Sequence, residues 1–418
     1  MYIATTRRRV PMRRFLKKAT KGAAFCFVTV LLLLAGGSRA RAQQSDTPDH
    51  AFSVTPHVAA TPVAGGYVRL RMVRVVDQTG LTEPTEALRM LIPADWKFEG
   101  QVRWLRENVS CPENMTALTF RAASPDQRFL LERFPEAFWT SANNAPRDAL
   151  RRRASCPLRE LVSAEDYFSE ETLRQARPGA HVLAVKELPE FSNAQKEQME
   201  RADSAALSLG NDTTASADSV RINYEYLNDG QMVEEAMVGT IFSIRSRSNL
   251  WPLFGKGPRY ADVYAIHAGD IYVSRAPEKD PQSGTVLARI LVSLRGNPRW
   301  SAGRDDVLEQ VLRKRLTADD PLPTGKTEAA TKKKIAESYR RQEQSHLTRA
   351  RLYDAAVRPM QSFVHPLSKA IVELNGGFAF AWCNDQDEYI LTNDASFNPA
   401  TQFRENWRQL EPAAPAQP

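Results

Sequence analysis

A chain of 418 residues, 42% hydrophobic and 25% charged, has room for one large or two modest domains, and its composition excludes a wholly disordered or fibrous protein. The formal charge of +7 invites a nucleic-acid reading only until the charge is located. Residues 1–42 hold ten of the 56 basic residues and none of the 49 acidic ones, which leaves 46 against 49 on the remainder, a charge of −3, and removes any argument for nucleic-acid binding from overall basicity.

Residues 1–42 have the three parts of a cleavable export signal in the right order. Arg7–Arg9, Arg13, Arg14, Lys17, Lys18 and Lys21 precede an apolar run from Ala23 to Ala35, and Ala40-Arg41-Ala42 closes it as an A-x-A site. Cleavage is expected between Ala42 and Gln43, so the working chain is expected in the periplasm or outside the cell. The Sec route fits better than the twin-arginine route, although Thr6–Val10 and Arg13–Lys17 approach the twin-arginine pattern. No later segment reaches the ~18 consecutive apolar residues of a membrane span, so no transmembrane segment is expected in the mature chain.

Pro, Ala, Thr and Gln dominate 43–65, which reads as a disordered linker. Alternation predicts strands over 67–75 and 101–107, and further strands are expected over 88–92, closed by Pro93, and over 117–122 and 129–134, separated by the turn signal Ser124-Pro125-Asp126. Ser163 with Glu165 and Asp166 predicts a helix start, and Pro178-Gly179 its end. A short strand over 182–185 and an exposed helix over 192–209 follow. Asn228-Asp229-Gly230 between alternating runs predicts a hairpin. Strands over 263–266 and 271–273, an apolar helix over 285–294 and an amphipathic helix over 305–316 complete this region. Thr327 to Val357 reads as a long polar helix, and 371–374, 378–382 and 389–391 as short strands. The expected domains are an α/β sandwich over 66–316, a linker over 317–326, a C-terminal helix plus hairpin module over 327–411 and a disordered tail over 412–418. The fold class is α+β, an antiparallel sheet sandwiched by helices.

Three cysteines remain after the signal, and an oxidising compartment favours pairing two of them. Cys111-Pro112 and Cys156-Pro157 are both loop-like, which makes Cys111–Cys156 the expected disulfide and Cys383, in an apolar run, a buried thiol. Standard catalytic, phosphate-loop and zinc motifs are missing, and the six histidines show no i, i+4 pair. No cofactor or metal is therefore expected, and His267 reads as a structural residue. Asn384-Asp385-Gln386-Asp387-Glu388 admits a calcium loop or a hairpin turn, the turn being favoured. Trp96, Trp104, Trp139 and Trp251 admit a glycan surface or, preferably, core. Lys332, Lys333, Lys334, Arg340 and Arg341 on the long helix admit contact with an anionic lipid or cell-wall surface, or a solvated, salt-bridged face.

Two stretches resemble known families. Leu291-Val292-Ser293-Leu294-Arg295-Gly296-Asn297-Pro298-Arg299-Trp300 resembles the I-x-x-S-x-x-x-N-P-x-W helix and exit of exported bacterial proteins related to the PsbP and Ran-binding α/β/α sandwiches, and Ile92-Pro93-Ala94-Asp95-Trp96 resembles their P-x-G-W opening, with Asp95 for glycine. Ala381–Leu391 with Phe397-Asn398-Pro399 and Trp407 resembles a C-terminal A-W-x-N-x-x-G-E-Y-I-L module of secreted bacterial proteins, with Asp387 for glycine. The resemblance implies a PsbP-like sandwich and a non-catalytic binding or assembly role, with an envelope protein or cell-wall component as partner. It transfers no catalytic residue. The alternatives are a hydrolase acting on an envelope polymer, with Glu225, Glu234 and Asp270 as candidate acids, and a lipid or cell-wall surface-binding protein.

Overall fold

The computed structural model describes residues 66–144, 156–202, 212–249, 260–277, 283–314 and 360–413. The expected signal, its cleavage site at Ala42 and Gln43, and the long basic helix lie outside these residues. The described strands run in chain order as β1 (Tyr67–Asp77), β2 (Thr85–Pro93), β3 (Lys97–Trp104), β4 (Thr116–Ala123), β5 (Leu130–Arg133), β6 (Ala137–Asn143), β7 (His181–Glu187), β8 (Asp212–Asn228), β9 (Gln231–Asn249), β10 (Tyr260–Arg275), β11 (Arg295–Gly296), β12 (Met360–Val364), β13 (Ile371–Asn375), β14 (Phe380–Cys383), β15 (Glu388–Thr392), β16 (Arg408–Gln409) and β17 (Glu411–Pro412). Helix α1 covers 164–176, α2 Pro189–Ala202, α3 Ser283–Ser293 and α4 Pro298–Lys314.

Where the sequence reads one sheet between helices, these strands form three sheets of a mixed, mostly antiparallel α+β fold. An eight-stranded sheet runs β3-β4-β5-β10-β9-β8-β7, with β6 beside β5 on the same flank of β10. A six-stranded sheet runs β11-β2-β1-β15-β14-β16, and a small one β13-β12-β17. Of the three C-terminal strands expected for the hairpin module, β14 and β15 belong to the six-stranded sheet, where β15 pairs with β1 from Tyr67↔Thr392 to Arg71↔Glu388, and β13 belongs to the small sheet. Val73, Val75, Met90 and Ile92 of this sheet meet Phe120, Leu131 and Tyr272 of the larger one, together with Leu287 and Leu291 of α3. The opposite face of β1 and β2 packs Leu70 and Leu91 on Phe363 and Leu374 of the small sheet. Single strands serve two cores because successive side chains point to opposite faces.

Local chemistry explains several of these elements. Asp229 (φ 49°) and Gly230 (φ 80°) form the two-residue turn between β8 and β9, closed by the Asn228↔Gln231 pair. Ser163 caps α1 by accepting the Asp166 N–H. A π turn over Tyr167–Leu173 follows, and Phe168 lies flat on the eight-stranded sheet over Gly239, where an added Cβ would come within 2.5 Å of its ring. The N-P-x-W stretch is a structural joint. The Asn297 side chain accepts the Arg299 N–H at the start of α4, Pro298 takes the first helical position, and Trp300 donates its indole N–H to Asp77 at 2.9 Å. Ser293 completes the β2 ladder, its hydroxyl accepting the Leu91 N–H at 2.9 Å.

Candidate functional site

Among the described residues, several polar constellations interrupt the apolar interior. The first lies at a bulge in β10 between Gly269 and Tyr272, where Asp270 takes a left-handed conformation (φ 52°). The bulge separates the part of β10 that pairs with β5 from the part that pairs with β6. His267 stacks between Phe138 of β6, at 4.1 Å and 2°, and Phe242 of β9, at 5.2 Å and 21°. Its Nε2 lies 3.0 Å from Glu136 Oε2, and Arg133 donates to the other Glu136 oxygen at 2.5 Å. Gly269 makes room for the imidazole, since a Cβ there would stand 2.6 Å from Nε2. Gln195 of α2 donates to Asp270 at 2.9 Å, and Arg304 of α4 pairs with Asp305 at 2.8 Å. Burial works against ionised Glu136, but the His267 hydrogen bond and the charges of His267, Arg133 and Arg304 outweigh it and hold the carboxyl well below the usual range.

The second constellation closes one end of the core under α1. Glu235 is buried and accepts from Arg177 Nε (2.9 Å), Arg275 Nη2 (2.6 Å), Tyr224 (2.8 Å) and Tyr226 (3.2 Å). Arg177 reaches on to Glu132 at 2.7 Å. Burial first, then the Glu235 charge, push the Tyr224 hydroxyl far above its usual range, so it stays a donor. A buried carboxylate with two guanidinium and two phenol partners is a closed ion network rather than a poised acid.

The third is the disulfide. Cys111 and Cys156 are bonded, as their X-Pro contexts suggest, and Cys383 is buried and free. Glu113 on the Pro112–Met115 turn brings Oε2 to 3.3 Å from Cys156 Sγ and 3.7 Å from Cys111 Sγ. Burial raises the Glu113 carboxyl above its usual value, against a smaller opposing backbone hydrogen bond. These three side chains have metal-ligand spacing, with candidate atoms within 4.8 Å of one another, but bonded sulfurs offer no thiolate to an ion.

The structure separates the candidate acids. Glu225 and Glu234 stand directly opposite each other on the β8–β9 hairpin, with the His181 imidazole 3.7 Å from Glu225, whereas Asp270 sits at the β10 bulge with Gln195. The acidic run at 384–388 is the β14–β15 turn. Asn384 accepts the Gln386 and Glu388 N–H groups, and Asp385, Asp387 and Glu388 pair with Arg408, Arg74 and Arg69. Trp96 and Trp139 are buried, and Trp104 donates to Asp77, so these three belong to the interior. Trp251 and the basic residues Lys332, Lys333, Lys334, Arg340 and Arg341 lie outside the described residues. His267 is a strand residue, as expected, but its partner Glu136, 131 positions away, carries no sequence signal. No helix among the described residues is long and apolar enough to cross a membrane.

No protein-family model, curated protein or solved structure matches this chain.

Proposed function

We propose that this chain is an exported, non-catalytic binding or assembly factor of the bacterial envelope, built on a PsbP-like framework. The face of the β8–β9 hairpin carries the reading. Leu227 and Met232 are cross-strand partners beside the turn and are 66% and 61% exposed. Two residues back on each strand, and so on the same face, stand Glu225 and Glu234. A pair of large apolar side chains at a projecting tip, backed by two carboxylates, suits a partner with an apolar socket and basic surroundings. The motif residues support a framework role: Ser293, Asn297, Trp300 and Asn384 all spend their polar groups on internal joints. The disulfide accords with export.

The test is crosslinking of the full-length protein in envelope preparations, beside the Leu227→Asp/Met232→Asp variant. Wild type is expected to trap a discrete partner that the variant loses while keeping its native circular dichroism. Retention of that partner by the variant, or turnover of an envelope polymer by the purified protein, overturns the reading.

A further inference from the structure

The carboxyl beside the disulfide has no role in the hairpin reading, and the inference drawn from it is independent of that reading. Cys111 is 2% exposed, whereas Cys156 is only half-buried. The bond ties together two segments that cover the outer edge of β6. On one side the Asn114 amide donates to the Phe138 carbonyl and accepts the Phe138 N–H, both at 2.8 Å. On the other, Thr140 N–H donates to Pro157 O and Arg159 N–H to Thr140 O, both at 2.9 Å. The edge so covered belongs to the strand whose Phe138 stacks on His267. An inert staple has no use for an ionisable group in contact with its sulfurs. Thiol–disulfide exchange does, because the departing sulfur leaves as a thiolate and needs a proton.

We propose that Cys111–Cys156 is a reversible dithiol–disulfide site with Glu113 as its proton donor and acceptor, serving an external dithiol. One thiolate of the dithiol attacks Sγ of Cys156, the less buried of the two cysteines. The S–S bond breaks, its electron pair passes to Cys111 Sγ, and that sulfur takes the proton of the Glu113 carboxyl. The second thiol of the dithiol then attacks its own sulfur in the mixed disulfide, and Cys156 leaves with the proton that this thiol gives up. The dithiol is oxidised to a disulfide, the protein is reduced by two electrons, and Glu113 regains its proton from water. The raised carboxyl suits this task because it keeps the acid form available closer to neutral pH. Reduction uncouples the 108–115 and 156–159 segments and so loosens the cover on β6.

Dithiothreitol as the dithiol and maleimide gel shift as the thiol count test this on the folded, full-length protein. Wild type is expected to be reduced without denaturant and reoxidised by oxidised dithiothreitol. Glu113→Gln is expected to slow reduction on the order of 10²-fold near neutral pH, as loss of a positioned acid does, and to remove the carboxyl step from the pH–rate profile. Glu113→Asp keeps an acid with a shorter reach, so it is expected to keep that step at a lower rate, and it serves if the Gln variant fails to fold. Faster amide exchange over 137–143 in the reduced protein is the expected structural readout. Reduction that requires denaturant, a Gln variant with the wild-type profile, or an Asp variant that has lost the step overturns the proposal.

Discussion

Asp77 offers the sharpest test of how α4 is joined to the six-stranded sheet. Its side chain is buried and accepts four hydrogen bonds. Oδ1 takes the Thr79 and Gly80 N–H groups at 3.2 and 2.9 Å, and Oδ2 takes the indoles of Trp104 and Trp300, each at 2.9 Å. Gly80 cannot be larger, since a Cβ there would fall 1.5 Å from Trp104 Nε1. Asp77→Asn keeps the shape but turns one oxygen into an NH2 group. Whichever way the amide is set, two donors then face a donor. A buried donor without a partner costs about 1–3 kcal/mol, so the substitution is expected to cost about 2–6 kcal/mol, a large share of the roughly 5–15 kcal/mol that holds a typical domain. Urea unfolding followed by far-UV circular dichroism reads this directly, and it avoids the fluorescence of the two tryptophans whose environment changes. A double-mutant cycle with Trp300→Phe is expected to show coupling of roughly 0.5–3 kcal/mol. A cost below about 1 kcal/mol for Asp77→Asn, together with additivity in the cycle, refutes the claim that this carboxylate holds α4 to the six-stranded sheet.

Two further outcomes follow from the geometry. Glu136 has a lowered folded-state pKa, so it binds its proton less readily folded than unfolded; its stabilisation is complete above the unfolded carboxyl value of about 4.3 and disappears as pH falls through the lower folded value. Glu136→Gln is therefore expected to flatten the acid limb of stability between about pH 4 and pH 2, and an unchanged limb removes Glu136 from the account. At the β14–β15 turn Asp387 has φ 58° and pairs with Arg74 across a half-exposed contact. Asp387→Ala loses the pair and keeps the left-handed strain, whereas Asp387→Gly loses the pair and relieves the strain, so thermal melts should rank Gly above Ala by about 1 kcal/mol; the reverse order contradicts the strain argument.

What the residues determined by themselves was local. Alternation marked β1 and the apolar run Leu88–Ile92 marked β2, and Asp229-Gly230 marked the hairpin because its backbone needs two positive φ angles. Ser163 marked the start of α1 because a free amide there needs an acceptor. Few cysteines and two loop contexts were enough to pair Cys111 with Cys156. The tertiary structure decided everything that depends on distance along the chain. β6 and β12 were not predicted, and β8, β9 and β10 run longer than their apolar cores because ladder hydrogen bonds carry polar residues such as Ser216 and Ser243 along with them. The pairing of β1 with β15 placed β14 and β15 of the expected C-terminal module in the six-stranded sheet, and no periodicity records which strand lies beside which. Glu136 beside His267, Glu235 among its four donors and Glu113 against the disulfide are the same kind of fact. A carboxylate's chemistry follows from what surrounds it, and here those surroundings are assembled from strands and turns scattered along the chain.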